Sequence, residues 1–428
     1  MILTLCLCFG GLLLLGMPIS VMLVVTTALV LMLFTHTPLT ILVQQLFNAL
    51  DNFLLISIPF FMLAGGIMTE GAMARRLLAV MELLVGRFRG GSAMATVVAC
   101  LFFAAISGSS PATVAAIGSI MFPALLKAGY PKNFTLGLIT SAGSLGIVIP
   151  PSIPMILYCM VMNVSVAKLF MAGFVPGLLI GGVFLAYTYA MARKNGWRAS
   201  RRYTSAEARA IIKKGAWGLI LPVIVLGGIY AGVFTPTEAA AVSVVYALFV
   251  ETVIYREITW IKLYKVCRDS AILSSCLLFI LACAMTFVWL LTAEQIPVMV
   301  ADWIIGLVDS WWMFLLLVTL LFLLMGAVMD DVSAMLILAP IFAEALGRYN
   351  IDLIHFGIVM VLMIEYGFLT PPFGLNLFVT MGITGESLTR VGRAVGPFLF
   401  WLLLCVLAIA FIPQISLFLP NLSLPGPR

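Results

Sequence analysis

Apolar residues run in long blocks along this chain, at 1–34, 53–69, 92–126, 133–160, 168–192, 216–233, 237–255, 271–291, 313–347, 353–381 and 394–419. A helix crossing the hydrocarbon core of a bilayer needs about 20 such residues, so the pattern predicts ten or so membrane segments. No polar block between them is long enough to fold as a separate water-soluble domain. Two blocks are interrupted, one by Ser107-Gly108-Ser109-Ser110-Pro111 and the other by Asp330-Asp331. Each half is short for a span of ~20 residues, so each pair reads as a re-entrant helical hairpin that enters and leaves on one side. Residues 1–34 stay ambiguous, being long for one straight crossing and short for two. Without a basic start or a small-residue cleavage site, they read as a retained membrane segment rather than a signal peptide.

Composition agrees with the pattern. Hydrophobic residues make up 63% of the 428 and charged residues 9%, against roughly 25% charged in soluble domains. The net charge of +6 would suit nucleic acid, but its placement argues for membrane flanks. With the two hairpins counted as re-entrant and the basic loop 193–214 placed in the cytoplasm, twenty of the 23 Lys and Arg fall inside. Lys168, Arg348 and Arg428 remain outside. Counting either hairpin as a crossing would flip every later loop and spoil this split.

The interrupted segments repeat. Gly146-Ile147-Val148-Ile149-Pro150-Pro151 and Gly367-Phe368-Leu369-Thr370-Pro371-Pro372 share the pattern Gly-x-x-x-Pro-Pro, 221 residues apart, and Pro176 and Pro397 keep that offset. Pro123 and Pro340 differ by 217, so a small indel lies between. Each copy runs hairpin, broken helix, closing helix. The first hairpin opens inward and the second outward in the topology above. The fold class expected is therefore an all-α polytopic membrane protein with an inverted-topology repeat, two re-entrant hairpins and two broken transmembrane helices. The expected division is residues 1–90 for scaffold helices and an arm, and 91–165 for the first transport repeat. Residues 166–295 would be scaffold, 296–385 the second transport repeat with its arm, and 386–428 the C-terminal helix.

Proline removes a backbone donor and clashes with the preceding turn, so each Pro-Pro ends one half-helix and starts another. The freed carbonyls need a cavity or a cation, and half-helix N-termini offer unpaired N–H groups to an anion at ~0.3–2 kcal/mol each. Several converging termini would hold a carboxylate without a buried arginine, and no Arg or Lys lies mid-way in these segments. Asp330, Asp331 and Glu365 are the only acids in the core of the second repeat. Charge at mid-membrane costs ~2.5–3.5 kcal/mol and marks functional candidates, while helix capping is the plainer reading of Asp330 or Asp331. The serines at 107–110 read either as neutral ligands or as caps of the helix starting near Pro111.

Thr235-Pro236-Thr237-Glu238 reads as a helix start. The face Ala239, Ala240, Ala241, Ser243 after it suits close scaffold packing. Residues 75–89 and 301–308 read as amphipathic arms holding the hairpins. The eight cysteines contain no Cys-x-x-Cys and read as small buried hydrophobes. The two histidines, His36 and His355, sit near outer ends of segments, where His355 is expected at the interface. No His-Glu-x-x-His or Gly-x-x-x-x-Gly-Lys is present, so no enzyme is expected. Neither rings of like charge nor a carbonyl filter suggest a channel.

At these residues the chain resembles the large membrane subunit of tripartite ATP-independent periplasmic (TRAP) transporters. The matching stretches are 106–113, 143–152, 234–241, 329–331 and 367–376. The resemblance implies an elevator mechanism in the bacterial inner membrane, with hairpins and broken helices carrying substrate and Na⁺ across a fixed scaffold. It also implies two partners, a periplasmic substrate-binding protein and a small four-helix membrane subunit. Carried over by position, one Na⁺ site would join the tip at Ser107 and Ser109 to the break at Gly143 and Gly146. A second would join Asp330 to Gly367 and Thr370. Substrate would lie between the tips, against Ser109, Ser110, Thr113, Pro151, Ser152, Pro372 and Asn376. The tips look more like the C4-dicarboxylate branch than the sialic-acid branch, although a monocarboxylate, sugar acid or small sulfonate fits the same chemistry. The two paired breaks lead us to expect at least two Na⁺ per substrate. A stand-alone sodium/anion carrier of the same fold is the nearest alternative.

Overall fold

The computed structural model describes residues 1–197, 203–325, 331–372 and 374–423; Arg198, Arg201, Arg202, Asp330 and Arg428 lie outside the described residues. Among the described residues the chain is helical, without strands. Its first block splits into α1 (Ile2–Leu14) and α2 (Ile19–Phe34), because Gly16 takes a left-handed φ of 68° and Pro18 follows. At 1.5 Å per residue α1 spans roughly 20 Å, short of the ~30 Å hydrocarbon core. Next come α3 (Thr40–Leu50), which the apolar pattern did not announce, and α4 (Ser57–Glu70).

The first repeat then folds as two helix pairs. The amphipathic α5 (Met73–Val85) leads into α6 (Gly91–Ser107) and α7 (Ser110–Lys127). The broken helix follows as α8 (Lys132–Ser144) and α9 (Ile153–Met162), closed by α10 (Val166–Lys194). Three long helices come next: α11 (Ser205–Tyr230), α12 (Pro236–Phe249) and α13 (Trp260–Ala293). Capping boxes at Thr204/Glu207 and Thr235/Glu238 start α11 and α12, each satisfying two orphan N–H groups reciprocally. Ala239, Ala240 and Ser243 are buried where α12 packs on α4, as small faces allow.

The second repeat has the same order. α14 (Ile296–Leu307) meets α15 (Trp311–Met325) at a 118° bend. α16 (Asp331–Arg348) and the second broken helix, α17 (Leu353–Phe368) and α18 (Leu375–Thr384), follow. α19 (Leu388–Phe411) closes it and α20 (Gln414–Ser423) folds back. The packing is reciprocal: α8 lies against α18 and α9 against α17, while α7 touches α18 and α16 touches α9. That pattern pairs the first half of each broken helix with the second half of the other, as a pseudo-two-fold arrangement requires.

Among the described residues seven helical stretches are long and apolar enough to cross a membrane, or up to eight if the bent pair counts as one. The protein is thus a multi-pass membrane protein. α13 has 34 residues, about 50 Å at 1.5 Å per residue. Its first turns expose Trp260, Ile261 and Tyr264 at 86%, 83% and 71%, alongside Lys262, Lys265 and Arg268.

Two sequence readings need correction. His355 is buried rather than interfacial, because α20 folds over it; Nδ1 lies 2.8 Å from Ser416 Oγ and Nε2 3.1 Å from the Ala410 carbonyl. Cys267 and Cys276 are exposed, on outward faces of α13.

The two repeats are tied where α8 begins. Lys132 Nζ pairs with Glu386, whose other oxygen takes Arg390 Nη1 at 3.1 Å, and Arg390 Nε donates to Asn133 Oδ1 at 3.1 Å. The hydrogen bond from Lys132, helped by Arg390, holds the Glu386 carboxyl below its ordinary range. A depressed folded-state pKa stabilises above the unfolded value and is lost as pH falls through the folded one. Wild type should therefore melt above Glu386→Gln at pH 7 and lose that margin below about pH 4, where carboxylates protonate. Melting curves at both pH values check this, and an unchanged margin in acid refutes it.

Candidate functional site

The first interruption places three backbones in contact. α6 ends at Ser107, Gly108 turns left-handed at φ 59°, Ser109 is extended, and α7 starts at Ser110 with Pro111 in its first turn. The Gly108 carbonyl accepts from the Ile153 N–H at 3.1 Å. A Cβ on Gly108 would sit 2.9 Å from the Pro151 carbonyl oxygen. On Gly146 it would sit 2.7 Å from both the Ser109 carbonyl oxygen and Thr113 Oγ1. Gly143 has Val114 Cγ2 at 2.4 Å from the same construction. Each is far inside normal van der Waals contact, so the tip of the α6–α7 pair seats on the α8–α9 break only because these positions lack side chains. On the far side, α4 offers Gly65, whose Cβ would lie 3.2 Å from Ser107 Cα.

Hydroxyls and carbonyls gather here. Ser107 Oγ lies 2.9 Å from Thr113 Oγ1, and Thr113 Oγ1 donates to the Ser109 carbonyl at 2.9 Å. Ser109 occupies the N-cap position of α7 yet its side chain makes no cap bond, so the capping reading does not describe it. Ser110 Oγ donates to the Gly143 carbonyl at 3.4 Å and accepts from Asn376 Nδ2 at 2.6 Å. This link crosses from one repeat to the other. It joins the first residue of α7 to the first turn of α18 and to the last turn of α8. Asn376 Oδ1 is buried with no hydrogen-bond partner among the described residues. An orphaned buried acceptor of this kind costs ~1–3 kcal/mol, and only a hydrogen-bond donor or a cation can satisfy it.

The second break is arranged differently. Gly367 is buried, Thr370 Oγ1 donates to its own helix at Tyr366 O (2.9 Å), and Thr370 is half-buried. Pro371 and Pro372 are exposed, whereas Pro150 and Pro151 are buried. Both Pro-Pro bonds are cis. No hydrogen bond among the described residues joins Gly367, Thr370 or Pro372 to the first tip; Asn376 alone of that set reaches it. Glu365 is fully buried one turn before the break, at the 221-residue offset from the buried Ser144. Asp330 lies outside the described residues. Ser152 is spent on its own helix, its Oγ accepting from the Met155 N–H at 3.5 Å as the N-cap of α9.

Sequence reading missed one contact in this region. Thr140 Oγ1 of α8 and Thr380 Oγ1 of α18 meet at 2.8 Å, both fully buried, beside Ser141, whose Oγ has no partner among the described residues. Single threonines inside apolar runs carry no pattern, so only the reciprocal packing of the two broken helices reveals them.

The arrangement suits ions of both signs without a fixed positive side chain. The N-terminal turns of α7 and α18 meet, and helix N-termini attract anions through their unpaired N–H groups. The C-terminal ends of α6 and α8 bring carbonyl oxygens to the same place, which hard cations such as Na⁺ prefer. Among the described residues no three His, Cys, Asp or Glu side chains converge, so a cation at the first tip would be held by neutral oxygens.

Comparison with known proteins bears on this geometry. Residues 6–415 match the family described as Tripartite ATP-independent periplasmic transporter, DctM component. The C4-dicarboxylate TRAP transporter large permease protein DctM of Pseudomonas aeruginosa is 47% identical over 394 residues, 92% of each chain. The isethionate TRAP transporter permease protein DctMQ of Oleidesulfovibrio alaskensis is 37% identical over 411 residues, 96% of this chain and 65% of that one. A solved structure, the Alcanivorax borkumensis YdaH transporter, which is described as having an unusual topology, matches with a TM-score of 0.62 over 87% of each chain. At 16% identity that likeness is one of fold.

Proposed function

The chain belongs to the DctM family of TRAP transporters, as a large permease subunit and not an enzyme, and from that premise we propose that it is the sodium-coupled importer of a small organic anion. The observation that carries the proposal is the Ser110–Asn376 bond, with the Gly143 carbonyl on its far side. It brings two helix N-termini and a helix C-terminus from different repeats to one buried point. Substrate carboxylate would lie at the N-termini, with Na⁺ among the oxygens of Ser107, Ser109, Gly143 and Gly146. A second Na⁺ would sit by Gly367, Thr370 and Asp330.

Substrate is a C4-dicarboxylate in this reading, as the name of the 47%-identical relative has it. A small sulfonate is the second reading, because the 37%-identical relative is named for isethionate. Partners are a periplasmic binding protein and a small membrane subunit; the relative named DctMQ is consistent with the latter. We place the protein in the inner membrane with its basic loops cytoplasmic. The α6–α7 and α15–α16 pairs act as re-entrant hairpins of inverted repeats. With their broken helices they move as an elevator against a scaffold of α4 and α10 to α13.

Coupling has an energetic signature. One charge moving through 100 mV is worth ~2.3 kcal/mol, so two Na⁺ with a monoanion harvest the membrane potential and two with a dianion do not. The test is uptake of labelled succinate or isethionate into proteoliposomes holding both membrane subunits, with binding protein outside. Replacing Na⁺ by K⁺ is expected to drop uptake to background, and an imposed negative interior to accelerate a species carrying net positive charge. Uptake that persists without Na⁺ removes the coupling.

A further inference from the structure

The start of the α5 arm is held by a carboxylate from far along the chain. α12 runs into a π-helical turn, Val250–Ile254, and such turns reset the direction of the side chains they carry. This one delivers Glu251, fully buried, to the N-terminal end of α5. Its Oε1 accepts from the Ala72 and Met73 N–H groups at 2.9 and 2.7 Å, and its Oε2 from the Ala72 N–H at 2.9 Å. These are donors that a helix start leaves unsatisfied, and an anion at a helix N-terminus is favoured by its dipole as well. Gly71 makes room, since a Cβ there would lie 2.2 Å from the Glu251 carboxyl carbon.

Neighbouring contacts fix the same end. Arg76 lies over the Tyr255 ring, its Cζ 3.5 Å from the centroid, and Arg75 pairs with Glu257 at 3.0 Å. Along its length α5 is pressed on α11: a Cβ on Gly215 would sit 2.3 Å from Val80 Cγ2 and 3.1 Å from the Arg76 carbonyl oxygen. The other end of the arm is built of glycine. Gly86, Gly90 with φ 72°, and Gly91 make the turn into α6. Across it Ser92 Oγ donates to Glu82 Oε1 at 3.2 Å.

We infer that Glu251 is a positioning residue that fixes the arm to the α11–α12 scaffold, so that displacement of the first repeat is taken up at the glycine turn 86–91. The inference rests on the carrier reading above. It assigns the boundary between moving and stationary parts to the C-terminal end of α5, and makes α5 itself stationary. The sequence offered nothing for this, because Glu251 sits in an apolar run 179 residues from its partner.

A reversible cross-link tests it. The Cβ constructed on Gly215 lies 3.6 Å from Val80 Cβ, within the ~3.5–4.5 Å a disulfide requires. The pair Val80→Cys and Gly215→Cys is introduced with Cys267 and Cys276 changed to Ser, and uptake is measured in the reconstituted three-component system, oxidised and reduced. The expected result is sodium-driven uptake equal in both states, since a stationary arm tolerates the bond. Arrest on oxidation with recovery on reduction overturns the inference, and so does failure of the bond to form. Glu251→Ala is expected to lower the maximal uptake rate about tenfold, equivalent to ~1.4 kcal/mol, with KM within twofold, and oxidation of the cysteine pair is expected to restore it. Loss that the cross-link leaves unrepaired in a monodisperse protein also overturns it. Glu251→Gln, which retains the accepting oxygen, replaces alanine if that variant fails to fold, with a smaller loss and the same rescue. Failure of the carrier reading is separate, showing as sodium-independent uptake in the unsubstituted protein.

Discussion

Alanine at Gly146 is expected to cut sodium-driven uptake by about fivefold to 150-fold, the rate equivalent of the ~1–3 kcal/mol that overpacking costs. The added methyl would meet the Ser109 carbonyl and the Thr113 hydroxyl at 2.7 Å and Ser110 Cα at 2.9 Å. None of these is the free end of a flexible side chain. Two are backbone atoms and the third is tied to Ser107 and Ser109. Relief therefore means moving the α6–α7 tip off the α8–α9 break, which separates the very oxygens proposed to hold the first Na⁺. The apparent sodium affinity should fall along with the rate. Gly182→Ala is the control, because nothing lies within 4 Å of a Cβ there; it should transport normally. Normal sodium activation in a folded Gly146→Ala protein would mean that tip and break part company in the working transporter.

Asn376→Leu is expected to remove about two orders of magnitude of uptake. Leucine is close in volume and leaves the helix intact, so the substitution isolates chemistry from packing. It strips Ser110 Oγ of its 2.6 Å donor and deletes the buried Oδ1. Leaving Ser110 Oγ without that donor and freeing the α18 start from the α7 start is expected to cost about 2.7 kcal/mol of transition-state stabilisation, within the ~1–3 kcal/mol of a lost buried bond and equal to roughly a hundredfold. Substrate KM should rise more than the Na⁺ requirement changes, since losing the Ser110–Asn376 bond separates the two helix N-termini proposed to face the anion. The measurement is initial uptake over matched substrate and sodium series, with melting temperature to confirm folding. Unchanged KM in that variant would move the anion away from the Ser110–Asn376 bond.

Proline and glycine made much of this legible. The interruption at 107–110 and the paired Gly-x-x-x-Pro-Pro motifs mark the two sharpest backbone features of the site, and the structure breaks its helices there. These residue types act locally, through the missing donor of proline and the missing side chain of glycine, so sequence alone displays their effect. Polar contacts between distant segments were not legible in the same way. Ser110 and Asn376 are 266 residues apart and Thr140 and Thr380 are 240 apart. Serine and threonine inside apolar helices look the same whether they bond their own backbone, as Thr27 does, or a partner across the core. The same holds for His355, whose burial depends on α20 returning over it. Sequence leaves the split between α1 and α2 open because hydropathy continues through Gly16 and Pro18, and the left-handed turn at Gly16 separates them.

The length of α13 couples the molecule to bilayer thickness. At about 50 Å it outruns a ~30 Å apolar slab by several turns, and its exposed Trp260 and Tyr264, with Lys262, Lys265 and Arg268, are the residue types that moor a helix among phospholipid headgroups. Its apolar block, 271–291, fits that slab at 1.5 Å per residue, so a membrane thinner than the block must tilt the helix or thicken around it. α2, α3, α4 and α16 all lean on it, so acyl-chain length becomes a mechanical input to the whole assembly.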